Sequence, residues 1–389
     1  MGTEKLYYAD PFLTDFTATV LDCQPGKNGY LVTLDRTAFY PEGGGQPADH
    51  GVLDGAVVTD VHEKNSVILH NVDRAVEIGK TVTGAIDWGR RFDHMQQHSG
   101  EHICSGLICE RFHCDNVGFH MGADIVTIDF NADISWEELL EIEAKANQYL
   151  YENHPIDIQF HRGAELDAID YRSKKPLEGD VRIVAFPGAD CCACCGTHVL
   201  RSGQVGLVKF LSVQKFREGV RIELLCGKRA LEYLSRTWEQ AKAIGQRLSV
   251  KPVDSEAAVE RLEGELANLK LRCVQLEESV FESMAKEQAG KGNVLLFQPA
   301  MRPDSVRRLM DAVSKTCGGL AAVFAGEEGH YAYALGRADG QDISPLVKAM
   351  NTALHGRGGG RNGFAQGSVE TERSAIESFF KENGYGICD

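Results

Sequence analysis

The sequence predicts an α+β protein made of four segments. Residues 1–90 contain short runs rich in β-branched and aromatic residues, separated by Gly, Asn, Asp and Pro, which predicts a small β-barrel with a sandwich as the alternative. Residues 91–227 mix helical patterns with strand-like runs, as in an α+β unit. Residues 228–289 have a strongly helical pattern, and residues 290–389 alternate strand and helix like a small α/β domain.

Composition narrows the class of protein. The chain has 389 residues, of which 43% are hydrophobic and 25% charged, so disorder is excluded as the dominant state. A net charge of −15 argues against a nucleic-acid binder that relies on bulk positive charge, although clustered basic residues can still contact RNA. No apolar run approaches the roughly 18–20 residues of a membrane span, and the N-terminus does not follow a secretory pattern. We therefore expect a cytoplasmic protein without a membrane partner, whose twelve cysteines are free thiols or metal ligands.

Two helices are expected in the second segment. The first covers residues 91–112, directly after the pattern changes at Asp87. The second covers residues 135–151, where Ser135 is a suitable N-cap and acidic residues occupy the first turn.

The third segment carries an apolar seam. Pro252 interrupts its helical pattern, and after it the apolar residues recur at alternating steps of three and four: Val259, Leu262, Leu266, Leu269, Cys273, Leu276 and Val280. Such steps are typical of a coiled coil or a helical hairpin. The alternative is a helix that packs only on its own domain.

The sharpest chemical signal is a pair of motifs, HSGEH at 98–102 and CCGTH at 194–198. His98 and His102 stand four residues apart on a predicted helix, so both imidazoles lie on one face. Cys194 and His198 have the same separation. Three imidazoles and one thiolate form a ligand set that suits Zn²⁺.

Other ligand sets compete with this one. His94 also stands four residues before His98, and the run CCACC offers Cys191 with Cys194 or Cys192 with Cys195 as half of a zinc ribbon. No distant second CxxC completes a four-cysteine site, and the spacing does not fit a ferredoxin or thioredoxin pattern.

These motifs resemble the editing domain of alanyl-tRNA synthetases and its freestanding AlaX-type relatives. That family carries HxxxH and CxxxH motifs, matched by the four residues above, and a glycine-rich motif matched by TAFYPEGGGQPADHG at 37–51. GVRIELLCGKRAL at 219–231 resembles the end of the editing module. HGRGGGRNGFAQGS at 355–368, read as a glycine-dense loop, resembles the C-terminal domain of alanyl-tRNA synthetases.

The resemblance implies a long-form, freestanding alanyl-tRNA editing protein. Such a protein would be a zinc-dependent deacylase that acts on tRNA(Ala) mischarged with serine, with glycine as an open second substrate. A synthetase pocket rejects an added hydroxyl poorly, so a second, hydrolytic sieve is useful. A non-catalytic tRNA-binding module with structural zinc and an editor of Ser-tRNA(Thr) are the alternatives. A homodimer through the seam or the C-terminal domain is open.

The resemblance also implies roles for residues near the metal motifs. Thr37 matches the position that recognises the serine hydroxyl, and His120 lies where relatives place a polar residue of the catalytic site, often glutamine. The loop Gly43, Gly44 and Gly45, followed by Gln46, is expected to cover the zinc site and contact the terminal adenosine. Whether the zinc has three or four protein ligands stays open at this point.

Contact between tRNA and an acidic protein requires local positive charge. One group of candidates lies near residue 220 and another in the terminal glycine-rich segment: Lys209, Lys215, Arg217, Arg221, Lys228, Arg229, Arg357 and Arg361. We expect Arg361 to bind substrate.

Overall fold

The computed structural model describes residues 2–173, 179–327 and 329–385. Within these ranges the chain divides into two units, Met1–Ala243 and Ile244–Asp389. Both units combine helices with β-sheets, which confirms the predicted α+β class. None of the helices in the described ranges is long and apolar enough to cross a membrane.

The N-terminal strands of the first unit form a closed barrel. The elements are β1 (Glu4–Lys5), α1 (Leu6–Ala9), β2 (Asp15–Gly26), β3 (Gly29–Leu34), β4 (Arg36–Thr37), β5 (Gly51–Leu53), β6 (Ala56–Lys64), β7 (Val67–Val72) and β8 (Thr81–Ile86). The barrel strands pair in the order β2-β3-β7-β6-β5-β8. Along β2, Phe16, Ala18 and Val20 are buried, because successive side chains of a strand point to opposite faces. Gly84 makes room for Phe16, since a Cβ there would lie 2.3 Å from the Phe16 ring.

Two long helices follow the barrel. α2 (Trp88–Phe112) begins after Asp87, whose carboxylate accepts a backbone N–H of the first turn at 3.1 Å. α3 (Trp136–Glu152) begins with a capping box, in which Ser135 Oγ accepts the Glu138 N–H and the Glu138 carboxylate accepts the Ser135 N–H. These caps satisfy amides that the helices leave unpaired. Both predicted helices are confirmed, including the Ser135 N-cap.

Two antiparallel sheets complete the first unit. Their elements are β9 (Asn116–Met121), β10 (Val126–Phe130), β11 (Asp157–His161), α4 (Ala164–Asp167), β12 (Val181–Phe186), β13 (Asp190–Ala193), a 3-10 helix (Ser202–Val205), β14 (Val208–Phe216) and β15 (Gly219–Cys226). One sheet has the order β14-β15-β10-β9 and the other β11-β12-β13. One apolar core joins both sheets to α2 and α3, and it includes Met95, Ile128, Leu139 and Val184.

The predicted helical segment forms two long helices. These are α5 (Gly227–Leu248), which contains the boundary between the two units, and α6 (Ser255–Glu287). The predicted interruption at Pro252 is a short 3-10 helix, Pro252–Asp254. Proline suits the first position of such a turn, because its missing N–H would be unpaired there anyway.

The apolar seam of α6 is uncovered. Leu262 is 53% exposed and Leu269 is 60% exposed. Near its end the helix buries Phe281 and Ala285 in the core of the second unit. The seam residues are present on α6 and are exposed, and no partner for them lies in the described ranges. The coiled coil therefore stays a prediction.

The second unit is built around one mixed sheet. Its elements are β16 (Gly292–Gln298), α7 (Pro303–Cys317), β17 (Gly318–Glu327), β18 (His330–Arg337), α8 (Ser344–Ala353), β19 (Arg357–Arg361), β20 (Phe364–Val369) and α9 (Arg373–Glu382). The strand order is β16-β17-β18-β20-β19. β16 and β17 are parallel and are joined through α7, as a parallel pair requires.

The glycine-rich segment at 355–368 was wrongly interpreted as a loop. It forms the hairpin of β19 and β20 at the edge of the sheet. Its turn consists of Asn362 and Gly363, both with positive φ (54° and 76°). Asn-Gly is the preferred sequence of a two-residue hairpin turn, because both central residues need positive φ.

Candidate metal centre

Four side chains that are distant in sequence converge in the first unit. His98 and His102 occupy successive turns of α2, with ring centroids 5.2 Å apart. Cys194 and His198 come from the segment that follows β13. One ligand atom from each of the four residues lies within 4.8 Å of the others. The predicted convergence of the two motifs is therefore present, and the group can hold a metal ion.

The spacing of the ligand atoms fits a tetrahedral ion. Cys194 Sγ lies 3.5 Å from His98 Nε2 and 3.4 Å from His198 Nε2. Zinc bonds of about 2.0–2.1 Å to nitrogen and about 2.3 Å to sulfur, at tetrahedral angles, give a nitrogen–sulfur separation of about 3.5 Å. All three imidazoles and the thiolate are placed to share one centre, which is the closed four-ligand arrangement.

Each imidazole is oriented by a hydrogen bond at its outer nitrogen. The Nδ1 partners are Gln46 Oε1 at 2.9 Å from His98, Asp190 Oδ2 at 2.8 Å from His102 and Ser99 Oγ at 3.2 Å from His198. These bonds leave Nε2 of each ring directed to the centre. Such outer partners are typical of metal-binding histidines, because they fix the tautomer and the orientation of the ring.

The charges of the site favour a cation. Burial opposes ionisation of Cys194, but His98, His198 and His102 outweigh it and hold the pKa of the thiol well below its usual range. Burial also disfavours a charged His102, yet Cys194 and Asp190 raise the pKa of His102 well above its usual range. Burial lowers the pKa of His198 to about 3, so this ring stays neutral. The thiolate is the form of cysteine that binds metals.

Two arginines that the sequence analysis missed support the ligand segment. Arg172 binds both carboxylate oxygens of Asp190, at 2.7 Å and 2.8 Å. Arg182 donates to the carbonyl oxygens of Cys194 and Gly196, at 2.8 Å and 2.9 Å. The sequence offers a signal for Arg172 alone, because its partner Asp190 directly precedes the cysteine run.

The glycine loop covers this centre. Gly44 and Gly45 have positive φ (60° and 84°), and a backbone bridge joins Gly43 to Gln46. A Cβ at Gly45 would lie 2.6 Å from the ring of Phe119, which stacks on His98 with centroids 5.1 Å apart. The predicted position of the loop over the cluster agrees with the structure. Its contact with an adenosine stays a prediction.

Gln46 connects the loop to both metal motifs. Its Oε1 accepts from His98 Nδ1 and, at 3.1 Å, from the Thr197 N–H, while its Nε2 donates to Thr197 Oγ1 at 2.8 Å. The side chain is fully buried. Gln46 therefore forms a direct hydrogen bond to one of the four candidate metal ligands. The contact with substrate that we expected for Gln46 stays a prediction.

A buried ion pair closes the base of the loop. Asp49 accepts the Tyr40 N–H at 2.6 Å and donates its own N–H to the Tyr40 carbonyl at 3.0 Å. Arg91 of α2 binds Asp49 and also the carbonyl oxygens of Pro11 and Ala38. Neither charged side chain is exposed. The pair fixes the loop to the same helix that carries the two histidines.

Thr37 is buried in the barrel, with its hydroxyl already bonded. Thr37 Oγ1 lies 2.8 Å from His70 Nε2 and accepts the Phe39 N–H at 3.1 Å. His70 Nδ1 donates to the Val32 carbonyl at 3.0 Å, since a carbonyl can only accept, and burial lowers the pKa of His70 to about 4. The neutral ring therefore accepts at Nε2, and Thr37 donates to it. The hydroxyl keeps one acceptor lone pair, and its role toward substrate stays a prediction.

The structure does not bring His120 to the cluster. Phe119 stacks on His98, and neighbouring residues of a strand point to opposite faces. His120 is exposed and pairs across β9 and β10 with Thr127. His120 is therefore not a member of the four-residue group, and its catalytic role stays a prediction.

The competing ligand sets are partly resolved. His94 is buried, burial lowers its pKa to about 3, and it is outside the four-residue group. Cys192 forms a second set with His102 and Asp190, in which His102 is shared. The zinc-ribbon pairings of CCACC are not formed among the described residues.

Four of the six basic residues predicted near residue 220 are already paired, and one of these pairs is Lys228 with Glu232 at 3.7 Å. Lys209 binds Glu143, Arg221 binds Asp129 and Arg229 binds Asp93, at 2.6–2.7 Å. These pairs reduce the charge available to an RNA phosphate. Arg361 is exposed on β19 of the second unit.

Comparison with protein families matches three parts of the chain. Residues 6–90 match the model described as tRNA synthetases class II (A). Residues 181–223, which include Cys194 and His198, match the threonyl and alanyl tRNA synthetase second additional domain. Residues 290–382 match the DHHA1 domain. The chain is therefore similar to modules of one class of protein, the aminoacyl-tRNA synthetases that carry this additional domain.

Curated relatives narrow the similarity to proteins named for alanyl-tRNA. The alanyl-tRNA editing protein AlaX-L of Pyrococcus horikoshii is 29% identical over 393 residues, which cover 96% of both chains. This match confirms the resemblance to long-form AlaX-type proteins. An alanine–tRNA ligase of Ignicoccus hospitalis is 29% identical over 97% of this chain, and one of Natronomonas pharaonis is 37% identical over 73% of it. The chain spans only 42% and 32% of the lengths of these two ligases.

A solved structure adds a weaker likeness. The C-Ala domain of Aquifex aeolicus alanyl-tRNA synthetase is 20% identical and covers 25% of this chain and 96% of its own, with a TM-score of 0.22. This score is too low to support a conclusion.

Proposed function

We propose that this protein is a hydrolase that removes wrongly attached amino acids, chiefly serine, from tRNA(Ala), and that it uses a zinc ion held by His98, His102, Cys194 and His198. The convergence of these four ligands beneath a glycine-rich loop carries the proposal. The similarity to a protein named as an alanyl-tRNA editing protein, along nearly the full length of both chains, supports it.

The residues around the centre are suited to hold a metal and orient a substrate. A bound zinc ion would supply a Lewis acid and a fixed positive charge beside the ester. Gln46, Asp190 and Ser99 keep the imidazoles in place, and the exposed Gly44 and Gly45 can bring backbone N–H groups close to a ligand. Since Gln46 joins the loop to His98 and Thr197, a substrate that moves the loop would also move the hydrogen bond that orients His98.

Discrimination against alanine requires a polar contact that only serine satisfies. Thr37 is the residue we propose for it. Because its hydroxyl proton is directed to His70, the remaining lone pair can only accept a hydrogen bond, and a serine hydroxyl can donate one. Alanine cannot donate this hydrogen bond, so it would be bound less well than serine at the site.

The remaining parts of the chain are proposed to serve the tRNA. We assign residues 1–90 to the barrel domain, 91–227 to the deacylase domain, 228–289 to the helical segment and 290–389 to the C-terminal domain. Arg361 is proposed to contact the tRNA. The uncovered seam of α6 is proposed as a coiled-coil dimer contact, and the protein is proposed to act in the cytoplasm.

A panel of charged tRNAs tests the proposal. Hydrolysis is measured on Ser-tRNA(Ala), Gly-tRNA(Ala), Ala-tRNA(Ala) and Ser-tRNA(Thr). We expect rapid release of serine from tRNA(Ala) and release of alanine slower by about 10⁴-fold, the discrimination available to a site that hydrogen-bonds a substrate hydroxyl. Equal rates for serine and alanine would refute the serine claim.

Two other outcomes identify the alternatives. The second-additional-domain model covers both threonyl and alanyl synthetases, so preferential release from Ser-tRNA(Thr) would move the protein to the threonyl branch. The closed set of four protein ligands is the arrangement of structural zinc sites. Binding of tRNA and zinc without release from any charged tRNA would identify a non-catalytic module.

A further inference from the structure

A group of aromatic and cationic side chains lies next to the metal-ligand segment. Phe160 on the edge strand β11 is 52% exposed, and its cross-strand partner on β12 is Arg182. The ring of Tyr8 from α1 lies 5.7 Å from the Phe160 ring and 4.9 Å from the Arg182 guanidinium carbon. Lys5 Nζ lies 5.6 Å from the Tyr8 ring and also pairs with Glu63 at 2.8 Å. We call Lys5, Tyr8, Phe160 and Arg182 the aromatic platform.

The platform is continuous with the metal centre. Arg182 donates to the carbonyl oxygens of Cys194 and Gly196, which belong to the segment that supplies two of the metal ligands. The platform therefore adjoins the metal centre. A ligand bound at the centre would reach Tyr8 and Phe160 with the nucleotide that precedes its bound end.

Arg182 is itself unusual. It is 5% exposed, its Nε has no hydrogen-bond partner, and none of the carboxylates in the described ranges lies within 4.0 Å of it. A buried N–H without a partner is costly, and a buried cation is normally paired. An anionic ligand beside the platform would supply the counter-charge that Arg182 lacks.

These properties favour one class of occupant. Single-stranded nucleic acid is recognised by stacking its bases on aromatic rings and guanidinium planes, while nearby cations attract its phosphates. An apolar protein surface would use the Phe160 ring but would bury Arg182 still without an anion. The combination of an exposed ring, a half-buried ring and the cation of Arg182 without a carboxylate partner therefore fits an unpaired nucleotide.

We infer that the aromatic platform of Lys5, Tyr8, Phe160 and Arg182 stacks an unpaired base of the RNA 3′ end, next to the nucleotide that carries the amino acid. The inference rests on the proposed function and names the contact that holds the strand at that site. Phe160 is a binding residue in this account and takes no part in the reaction.

Kinetics of Phe160→Ala test the inference. Base stacking on an aromatic residue contributes about 1–3 kcal/mol, so its loss corresponds to a roughly fivefold or larger increase in KM for Ser-tRNA(Ala). The kcat should stay within about twofold. Phe160→Trp should restore KM, because it keeps a stacking face. Tyr151→Ala is the matched control, since Tyr151 is an aromatic residue of the first unit that is 73% exposed and outside the platform.

A minimal substrate and a binding assay separate the possible outcomes. Seryl-adenosine has no preceding base, so Phe160→Ala should hydrolyse it like the wild type. An unchanged KM for Ser-tRNA(Ala), or an equal loss on seryl-adenosine, would overturn the inference. If the wild type hydrolyses no ester, the proposed function fails separately. In that case the dissociation constant is measured by anisotropy with an RNA acceptor-stem hairpin that ends in CCA and carries no amino acid. Fivefold weaker binding by Phe160→Ala than by the wild type supports the platform, and equal binding refutes it.

Discussion

The two glycine-rich segments of this protein look alike in sequence and differ in structure. Gly43–Gly45 forms a loop above the metal ligands, and its base is closed by the fully buried pair of Asp49 and Arg91. Arg357–Arg361 forms an exposed edge strand that ends in an Asn-Gly turn. The difference teaches that glycine density alone does not predict a loop. The residues that flank the glycines decide whether the segment pairs as a strand or folds over buried polar groups.

The largest expected effect concerns the buried pair beneath the first segment. Asp49→Ala leaves the Arg91 charge buried without its partner, which should lower the free energy of unfolding by about 3–5 kcal/mol. Urea titration measures it. Asp311→Ala is the control, because its ion pair with Lys315 is exposed and should contribute little. Equal stability of the two variants would mean that the loop base does not depend on the pair.

The second effect is a pH dependence of the unfolding free energy that comes from His70, the hydrogen-bond partner of Thr37. Burial lowers the pKa of His70 from 6.5 to about 4. Between these values the unfolded chain binds a proton that the folded chain does not, so stability falls as pH falls from about 6.5 to about 4. At 1.36 kcal/mol per pKa unit, the loss is about 3 kcal/mol.

Comparison with His70→Gln isolates this contribution. The variant has no titrating group at this position, so its stability should fall less than that of the wild type over the same pH range. The measurement is the unfolding free energy at pH 7.5, 6, 5 and 4.5. Parallel curves for the two proteins would show that His70 titrates normally, and the argument for the direction of the Thr37 hydroxyl would lose its basis.

The smallest effect compares one glycine from each segment. Gly45→Ala combines positive φ with a Cβ 2.6 Å from the Phe119 ring, so the loop must shift away from Gln46 and His98. We expect about a tenfold loss of deacylation, equivalent to ~1.4 kcal/mol. Gly359→Ala has no atom within 4 Å of its Cβ and should leave the rate unchanged. A similar loss in both variants would remove the distinction between the segments.

The sequence predicted those features that depend on local spacing. The four-residue separation in both metal motifs and the Ser135 cap are local patterns, and both appear as expected. The supporting groups Asp190 and Ser99 were missed, because single polar residues carry no periodic signal and their role depends on tertiary contacts.

The catalytic role of His120 stays a prediction. Its neighbour Phe119 stacks on His98, and the phase of a strand is visible only once the sheet is known. The hairpin of the second unit had a usable signal in Asn362-Gly363, which the run of glycines obscured.

The zinc content of purified variants tests the central claim most directly. Two candidate ligand sets share His102, one with Cys194 and one with Cys192. The account predicts one zinc ion per chain in the wild type and in Cys192→Ala, and loss of zinc together with deacylation of Ser-tRNA(Ala) in Cys194→Ala. Retention of zinc by Cys194→Ala, or its loss from Cys192→Ala, would contradict the assignment of the metal centre.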